Sequence, residues 1–176
     1  MRTPREARIR TESAPDRDRS GRVAKDFPSS CVRVRPPRPS DYHKMAELAG
    51  QLGYPATEKD VRNRLGDMCD SNRYAVYLAT LDDAEIAGWI GAYLFRSVET
   101  DPCVEVSGLI VEEKLRSQGI GKLLLGAVEA WAERIGCKVV SVHSNVVRCE
   151  AHRFYRNNGY EVVKTQRNFQ KALRAT

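Results

Sequence analysis

The sequence predicts an α+β domain of three layers (α/β/α), with about four helices covering both faces of a mixed, mostly antiparallel sheet of about six to seven strands. Three observations predict this class. Segments with strand-like apolar content follow one another in the middle of the chain, as in antiparallel hairpins. Segments with apolar residues at every third or fourth position lie before and after them. Strands and helices do not alternate strictly, which argues against a Rossmann-type parallel sheet.

Composition narrows the class of protein further. The chain has 176 residues, of which 41% are hydrophobic and 30% charged, enough for one domain with a buried core. It has no apolar run of about 18 residues and no secretory signal, so we expect neither a membrane span nor export. Its five cysteines form no C-x-x-C motif and its three histidines show no metal-ligand spacing. We therefore expect a cytoplasmic protein that binds no metal.

The net charge of +6 belongs to the N-terminal segment. Residues 1–39 hold 11 basic and 5 acidic side chains, whereas residues 40–176 hold 18 of each. Residues 1–30 are poor in apolar side chains, which predicts a disordered basic extension before a folded domain over residues 31–176. We expect a solvated tail, with an anchor for nucleic acid or an anionic membrane as the alternative. The acids count against a mitochondrial presequence, and the neutral domain counts against nucleic-acid binding.

The folded domain is predicted to begin with one strand and two helices. Valines alternate with arginines over residues 32–35, which indicates a short strand. Ser40 is expected to cap a helix that begins at Asp41. Thr57 and Asp60 have the spacing of a capping box, which predicts the start of a second helix.

Three longer strands are predicted after the second helix. They cover Tyr74–Leu81, Glu85–Phe95 and Cys103–Val111. Residues 82–83 are both Asp and residues 101–102 are Asp-Pro, which are turn-forming sequences. These three strands are therefore expected to pair as consecutive antiparallel hairpins.

The clearest helix of the sequence follows and ends at Gly136. Its apolar stripe consists of Ile120, Leu124, Ala127, Val128, Trp131 and Ile135. A buried strand is predicted over residues 138–142, and a last helix over residues 148–158. Residues 160–164 and the segment around Phe169 are expected to be strands as well.

A glycine-rich turn connects the third long strand to the clearest helix. Its residues are Arg116, Ser117, Gln118, Gly119, Ile120, Gly121 and Lys122. The turn is not a Walker A loop, because Leu123 follows the lysine, and it lacks the third glycine of the Rossmann fingerprint. Unpaired N–H groups at a helix start, glycines that permit close approach and two cationic side chains suit a pyrophosphate. The sequence therefore predicts a phosphate-binding turn.

Two motifs together resemble the GCN5-related N-acetyltransferase (GNAT) superfamily, in particular its small bacterial amine or aminoglycoside-type members. The first is Glu105-Val106-x-x-Leu109-x-Val111 running into Arg116-x-x-Gly119-x-Gly121, and the second is Ala151-His152-x-Phe154-Tyr155-x-x-x-Gly159-Tyr160. The resemblance covers residues 31–173. It implies the GNAT fold and makes residues 31–176 an acetyltransferase domain.

The resemblance also implies acetyl-CoA as cosubstrate and assigns its contacts. The glycine-rich turn would bind the pyrophosphate, and the backbone of Leu109, Ile110 and Val111 would pair with the pantetheine. Tyr155 matches the family's tyrosine near the thioester sulfur. Arg148 stands where many members have an asparagine that contacts the cofactor, so it would reach a CoA phosphate or face solvent.

The chemistry requires a base, because an alkyl amine with a pKa of about 10 is only about 0.1% unprotonated at pH 7. Glu105 is the favoured base, acting directly or through water, and Tyr155 is the favoured acid for the departing sulfur. His143 is the alternative base. Tyr54 lies between the two helices that commonly wall the family's acceptor site, where it would either stack on the acceptor or pack as part of a helix stop.

The sequence therefore predicts transfer of an acetyl group from acetyl-CoA to a primary amine of a small molecule. A peptide or protein amine is the alternative acceptor, and a non-catalytic CoA-binding regulator is the alternative function. A polycationic acceptor would need an acidic cleft. Carboxylates near helix ends and turns are Asp67, Asp70, Asp82, Asp83, Glu99 and Asp101. Since family members are often dimers, a homodimer is left open.

Overall fold

The computed structural model describes residues 32–69, 72–82 and 84–173. The predicted basic extension over residues 1–30 lies outside these ranges, as does Cys31. No helix of the described chain is both long enough and apolar enough to cross a membrane.

The described chain forms an α+β fold of five strands and four helices. In chain order the elements are β1 (Val32–Arg35), α1 (Tyr42–Leu52), α2 (Glu58–Cys69), β2 (Tyr74–Leu81), β3 (Glu85–Phe95), β4 (Cys103–Val111), α3 (Ile120–Arg134), β5 (Val140–Val142) and α4 (Cys149–Asn157). The strands lie in the order β1-β2-β3-β4-β5. The first four are antiparallel neighbours and β5 is parallel to β4. The bounds predicted for β2, β3 and β4 are confirmed.

The prediction of six to seven strands is wrong for the described chain. Residues 160–164 and the segment around Phe169 form no strand, and no backbone hydrogen bond joins residues 161–173 to another described residue. The side chains of residues 161–173 are exposed, with Phe169 86% accessible. An apolar run becomes a strand only where a neighbour bonds its backbone, and β5, reduced to Val140–Val142, offers a very short edge.

The start of α1 differs from the prediction. The chain makes a 3₁₀ turn over Pro39–Asp41, so Ser40 does not cap the helix. The buried Asp41 carboxylate instead accepts the Arg38 N–H at 2.6 Å and two Arg35 guanidinium N–H groups at 2.7 and 3.0 Å. The hydrogen bond from Arg35 holds the pKa of Asp41 below its usual range. This ion pair ties the start of α1 to β1.

The loop between α1 and α2 has fixed ends. Gly53, at φ +97°, ends α1 in the left-handed conformation that glycine adopts without strain. The Thr57 N–H donates to the Asp60 carboxylate at 2.9 Å, and the Asp60 N–H donates to the Thr57 hydroxyl at 3.2 Å. The predicted capping box is therefore confirmed, and it fixes where α2 begins.

The sheet separates two hydrophobic cores, which gives the three predicted layers. One face packs against α3, whose Leu124 and Val128 are fully buried against Val104 and Val106 of β4. The other face packs against α1 and α2 around Leu48. A side chain on the sheet is therefore assigned to one layer or the other by its parity along the strand.

A β-bulge in β4 changes that parity. Gly91 of β3 pairs with Gly108, but the next residue, Ala92, pairs with Val106, so Ser107 is the extra residue. Before the bulge, Val104 and Val106 face α3. After it, Ile110 is buried in the core formed with α1 and α2.

Candidate active site

The strands β4 and β5 lie side by side for only three residues. Their pairing covers Val104–Val106 of β4 and the whole of β5. Beyond Val106, β4 continues through the bulge to Val111 while the chain leaves β5 at His143. On that side no described strand pairs with residues 107–111. An extended ligand could therefore bind this backbone as a further strand would.

The side chains of the predicted pantetheine-pairing segment belong to the cores. Leu109 and Val111 pack against the core on the α3 side, and Ile110 is buried on the opposite face. The backbone groups of this segment are therefore left to pair with a ligand at the open edge.

The glycine-rich turn places unpaired N–H groups at the start of α3. Ser117 has φ +63° and Gly119, the N-cap, has φ +80°. The space in front of Gly119 is open, with no heavy atom within 4 Å of where a Cβ would lie. The Leu123 N–H makes the first helical bond, to the Gly119 carbonyl. The N–H groups before it carry the positive end of the helix dipole, which favours an anion.

Gly121 has a different role from the one its motif suggests. A Cβ at this position would lie 3.1 Å from two ring carbons of Phe154 in α4. Gly121 therefore lets α4 pack closely against the first turn of α3. The helix that carries Tyr155 therefore lies against the turn.

The charged residues of the turn lie at its mouth. Arg116 is exposed, and its Nε donates to the Val111 carbonyl at 3.1 Å, so the end of β4 and the turn are held together. Lys122 is exposed and lines a cleft of about 260 Å³ between α3 and α4. The rest of this cleft is formed by Leu125, Gly126, Glu129, Asn157 and Asn158. Gln118 lies between the two cations, and its Oε1 is buried without a partner among the described residues.

Glu105 and His143, the two candidate bases, are in contact. His143 Nδ1 lies 3.2 Å from Glu105 Oε1, and the side chains are 56% and 16% exposed. Gln166 Nε2 lies 3.5 Å from His143 Nε2 on the solvent side. Glu105 lies on the face of β4 opposite to Val104 and Val106. The two residues that the sequence offered as alternative bases therefore lie in contact in the structure.

Tyr93 of β3 completes this cluster, and the sequence analysis missed it. Its hydroxyl donates to Glu105 Oε1 at 2.6 Å. Burial, together with this hydrogen bond, raises the pKa of Tyr93 to about 12, so the hydroxyl remains a donor at neutral pH. The signal that could have found it is the hairpin register, because Tyr93 and Glu105 are direct cross-strand partners.

The two oxygens of the Glu105 carboxylate differ. Oε1 accepts the hydrogen bond from the Tyr93 hydroxyl and faces His143, whereas Oε2 has no hydrogen-bond partner in the described part of the chain. A carboxylate anchored through one oxygen keeps the other available to accept a proton. This geometry suits a general base.

Tyr155 lies on α4 among aromatic neighbours. Its ring centroid is 5.2 Å from that of Phe154 and 5.7 Å from that of Tyr160. Burial raises the pKa of the Tyr155 hydroxyl, and the charge of Arg148 partly opposes this rise. The hydroxyl therefore stays protonated at neutral pH and is able to donate a proton.

Arg148, immediately before α4, reaches across to the end of α1. Its Nη2 donates to the Leu52 carbonyl at 2.9 Å. Leu52 in turn packs against β4 beside Gly108. Tyr54, two residues after Leu52, is 67% exposed. Contact of Arg148 with the cofactor and contact of Tyr54 with the acceptor stay predictions.

The loop between β5 and α4 also contains a residue that the sequence analysis did not single out. Ser144 Oγ is buried and has no hydrogen-bond partner among the described residues. No signal in the sequence marks this serine.

Comparison with known proteins identifies the family. The model of the acetyltransferase (GNAT) family matches residues 42–160. The chain belongs to the GNAT family. It is therefore an acetyl-CoA-dependent acyltransferase.

Two curated relatives of this GNAT acetyltransferase act on amines according to their names. The aminoglycoside N(6')-acetyltransferase type 1 of Stenotrophomonas maltophilia is 28% identical over 138 residues, or 76% of this chain and 88% of the relative. The aminoalkylphosphonate N-acetyltransferase of Salmonella typhimurium is 32% identical over 98 residues, or 55% of this chain and 62% of the relative.

Solved structures share the fold of this GNAT domain. A GNAT family acetyltransferase from Staphylococcus aureus is 25% identical, with a TM-score of 0.64 over 81% of this chain and 99% of the other. The aminoglycoside acetyltransferase AAC(6')-Iy, in complex with a bisubstrate analogue containing CoA, has a TM-score of 0.71 over 81% and 99% of the two chains, at 18% identity.

The residues of this GNAT domain fit the chemistry of CoA. The first turn of α3 offers N–H groups to a pyrophosphate, the edge of β4 offers backbone groups to an amide-containing arm, and Lys122 lies in a cleft that could receive a phosphate. For a metal, no group of three or more His, Cys, Asp or Glu side chains in the described chain has suitable geometry.

Proposed function

We propose that this protein transfers the acetyl group of acetyl-CoA to a primary amine of a small molecule. The observation that carries the proposal is the Glu105 carboxylate, anchored by Tyr93 and His143 through one oxygen. It lies on β4 just before the strand edge that no described strand covers. This arrangement would place a base for the amine beside the edge along which an extended acetyl donor could bind.

The names of the relatives support a small acceptor. An aminoglycoside and an aminoalkylphosphonate are both small molecules that carry amino groups, and the two acetyltransferases named for them match this chain in sequence. They differ in charge, because the first acceptor is a polycation and the second carries an anionic phosphonate. The comparison thus supports the size of the acceptor more than its charge.

Acetyl-CoA would supply the acetyl thioester, held along β4 and the start of α3. In this proposal the backbone of Leu109–Val111 pairs with the pantetheine, and the N–H groups of the glycine-rich turn bind the pyrophosphate. Arg116 and Lys122 add positive charge at the two ends of the turn.

Glu105 would remove the proton that blocks the amine. Oε2 accepts it directly or through one water, while Tyr93 keeps the carboxylate in place. His143 lies against the same carboxylate and is 56% exposed, so it offers a path by which the proton reaches solvent. The base therefore lies on β4 and its exit on the residue that follows β5.

Tyr155 would donate a proton to the departing sulfur. Glu105 takes the first proton from the ammonium group and releases it to solvent. A nitrogen–carbon bond then forms as the carbon–sulfur bond breaks, a second proton leaves the nitrogen for Glu105, and one passes from Tyr155 to sulfur. Exchange with solvent then returns both residues to their starting states. The close packing of Phe154 on Gly121 supports this role, because it brings α4 near the turn.

Two further properties stay proposals. A cytoplasmic location is supported by the free thiols of Cys103, Cys137 and Cys149 among the described residues. A homodimer is supported by the frequent dimerisation of family members.

The test is an acetylation assay with a panel of amines, read by mass spectrometry for acetylated product and free CoA. The panel contains aminoglycosides, polyamines, amino acids, aminoalkylphosphonates and short peptides, with a no-enzyme blank and Tyr155→Phe as controls. Turnover of one small-amine class supports the proposal, whereas turnover of peptides alone favours a protein acceptor. No product from a protein whose melting temperature rises with acetyl-CoA favours a regulator. No product and no rise contradict the phosphate-binding role of the turn.

A further inference from the structure

Arg148 connects the loop between β5 and α4 to the end of α1. On one side, the Arg148 N–H donates to the Asn145 carbonyl at 3.0 Å, and Asn145 Oδ1 accepts the Val147 N–H at 3.2 Å. These bonds fix the turn from which the side chain extends. On the other side, its guanidinium reaches the Leu52 carbonyl at the end of α1. The last carbonyls of a helix lack helical partners and carry its negative end, which favours a cation there.

The guanidinium still has donors to offer. Only Nη2 donates to the described chain, whereas Nε and Nη1 donate to no described residue. The planar guanidinium matches an oxyanion through two parallel N–H donors. Arg148 is exposed and lies near enough to Tyr155 to influence its ionisation electrostatically. Unused donors therefore lie beside the residue proposed as the acid.

The nearby carboxylates do not neutralise this charge. Glu105 is bonded by Tyr93 and faces His143. Glu112, at the other end of β4, accepts Lys44 at 2.9 Å. Glu150, two residues after Arg148, makes no ion pair with it among the described residues.

The loop between α1 and α2 adds no negative charge. Residues 53–57 are Gly-Tyr-Pro-Ala-Thr, without an ionisable carboxylate. A polycationic acceptor that approaches between these two loops would therefore meet the Arg148 cation instead of the acidic wall that it needs.

We propose that Arg148 binds an oxyanion of the acceptor, so that the preferred substrate is a small amine with a carboxylate, phosphate or phosphonate group. The inference rests on the proposed acetyl transfer and adds the chemical class of the acceptor. Leu52 packs at Gly108, whose partner Gly91 is two residues along β3 from Tyr93, the partner of Glu105, or about 7 Å of strand. A short zwitterion can reach across this distance with its amine toward Glu105 and its oxyanion toward Arg148.

Matched pairs of amines test the inference. We would compare kcat/KM for 2-aminoethylphosphonate against ethylamine, and for β-alanine against propylamine, with an aminoglycoside as the polycation. The wild-type protein should prefer at least one anionic member at least tenfold over its neutral partner. In Arg148→Gln the ratio should fall to about one, and in Arg148→Lys part of it should remain. The matched control Arg153→Gln, which changes an exposed arginine within α4, should keep the wild-type ratio.

The two pairs separate the sources of the oxyanion, because one carries a phosphonate and the other a carboxylate. A wild-type ratio near one, preference for the aminoglycoside, or a ratio unchanged in Arg148→Gln would overturn the inference. So would loss of acetyl-CoA affinity in Arg148→Gln with an unchanged ratio, since the guanidinium would then serve the cofactor. Thermal melting of each variant checks that it is folded.

Failure of the proposed function has a different signature. If no amine is acetylated, 2-aminoethylphosphonate and β-alanine are titrated calorimetrically into the CoA-loaded protein. Saturable binding that weakens at least tenfold in Arg148→Gln would support the oxyanion site without catalysis. Absence of binding by both compounds would overturn it.

Discussion

The hydroxyl of Tyr93 donates to the Glu105 carboxylate at 2.6 Å across two paired strands. Since Tyr93 titrates only near pH 12, this hydrogen bond is present throughout the range in which an enzyme is assayed. The carboxylate is thus oriented before any acceptor arrives, as is expected of a preorganised base.

Tyr93→Phe should lower kcat about tenfold, because the base loses its orientation. The KM for acetyl-CoA should not change, since Tyr93 lies away from the glycine-rich turn. Steady-state kinetics with the acceptor found in the panel would measure both. The matched control is Tyr74→Phe, whose ring centroid lies 6.3 Å from that of Tyr93 and which should retain kcat. A wild-type kcat in Tyr93→Phe would show that the hydrogen bond is irrelevant to catalysis.

Tyr155→Phe should reduce kcat at least tenfold while the Kd for acetyl-CoA, measured by calorimetry, stays the same. The phenyl ring keeps the aromatic packing but cannot give a proton to the sulfur. Tyr160→Phe is the control, because it loses a 2.9 Å hydrogen bond to Glu129. That variant should lose about 1 kcal/mol of stability without loss of kcat. Equal activity of the two variants would remove Tyr155 from the mechanism.

Gly121→Ala should destabilise the domain by about 1–3 kcal/mol, because the added methyl group would press on the Phe154 ring. The affinity for acetyl-CoA should fall as well, since α4 must shift relative to the turn. Gly66→Ala, in the exposed part of α2 where a Cβ meets nothing within 4 Å, should have the opposite sign and add about 0.5–1 kcal/mol. Urea unfolding of the two variants would measure both changes in the free energy of unfolding. An unaltered midpoint for Gly121→Ala would refute the packing argument.

Asp41→Asn should lower stability at neutral pH by about 2 kcal/mol, because it removes the charge bonded by Arg35. The pKa of Asp41 is lowered in the folded state, so its contribution is complete above the unfolded pKa of about 4. It is lost as the pH falls through the folded value. The difference between wild type and Asp41→Asn should therefore shrink below about pH 4. Unfolding midpoints at several pH values would test this, and a difference that grows in acid would contradict the sign.

The sequence was sufficient where the structure depends on local pairing. The strands β2, β3 and β4 are consecutive hairpin partners, so their alternation and turns determined their bounds. The capping box at Thr57 is likewise a matter of four residues. By contrast, β5 and the segment after Tyr160 depend on whether a neighbouring backbone is available, which composition does not reveal.

The chemistry of the candidate site was only partly predictable for the same reason. Glu105 and Tyr155 were chosen from motifs, but their environment comes from other elements. The contact of Arg148 with Leu52 joins residues 96 positions apart, and no local pattern encodes such a distance. Tyr93 was within reach of the sequence, because the predicted hairpin already paired it with Glu105 if its register had been followed.

The extra residue at Ser107 divides β4 into two frames, because it reverses which residues of the strand face α3. In the first frame odd-numbered residues, including Glu105, face away from α3, and in the second the even-numbered Ile110 does so. A slip of the strand by one position would push the Glu105 carboxylate into the apolar layer beneath α3, at a cost of several kcal/mol. Burial of the carboxylate therefore disfavours the one-residue slip during folding, and the alignment that avoids this cost is also the one that pairs Glu105 with Tyr93 and places it beside His143.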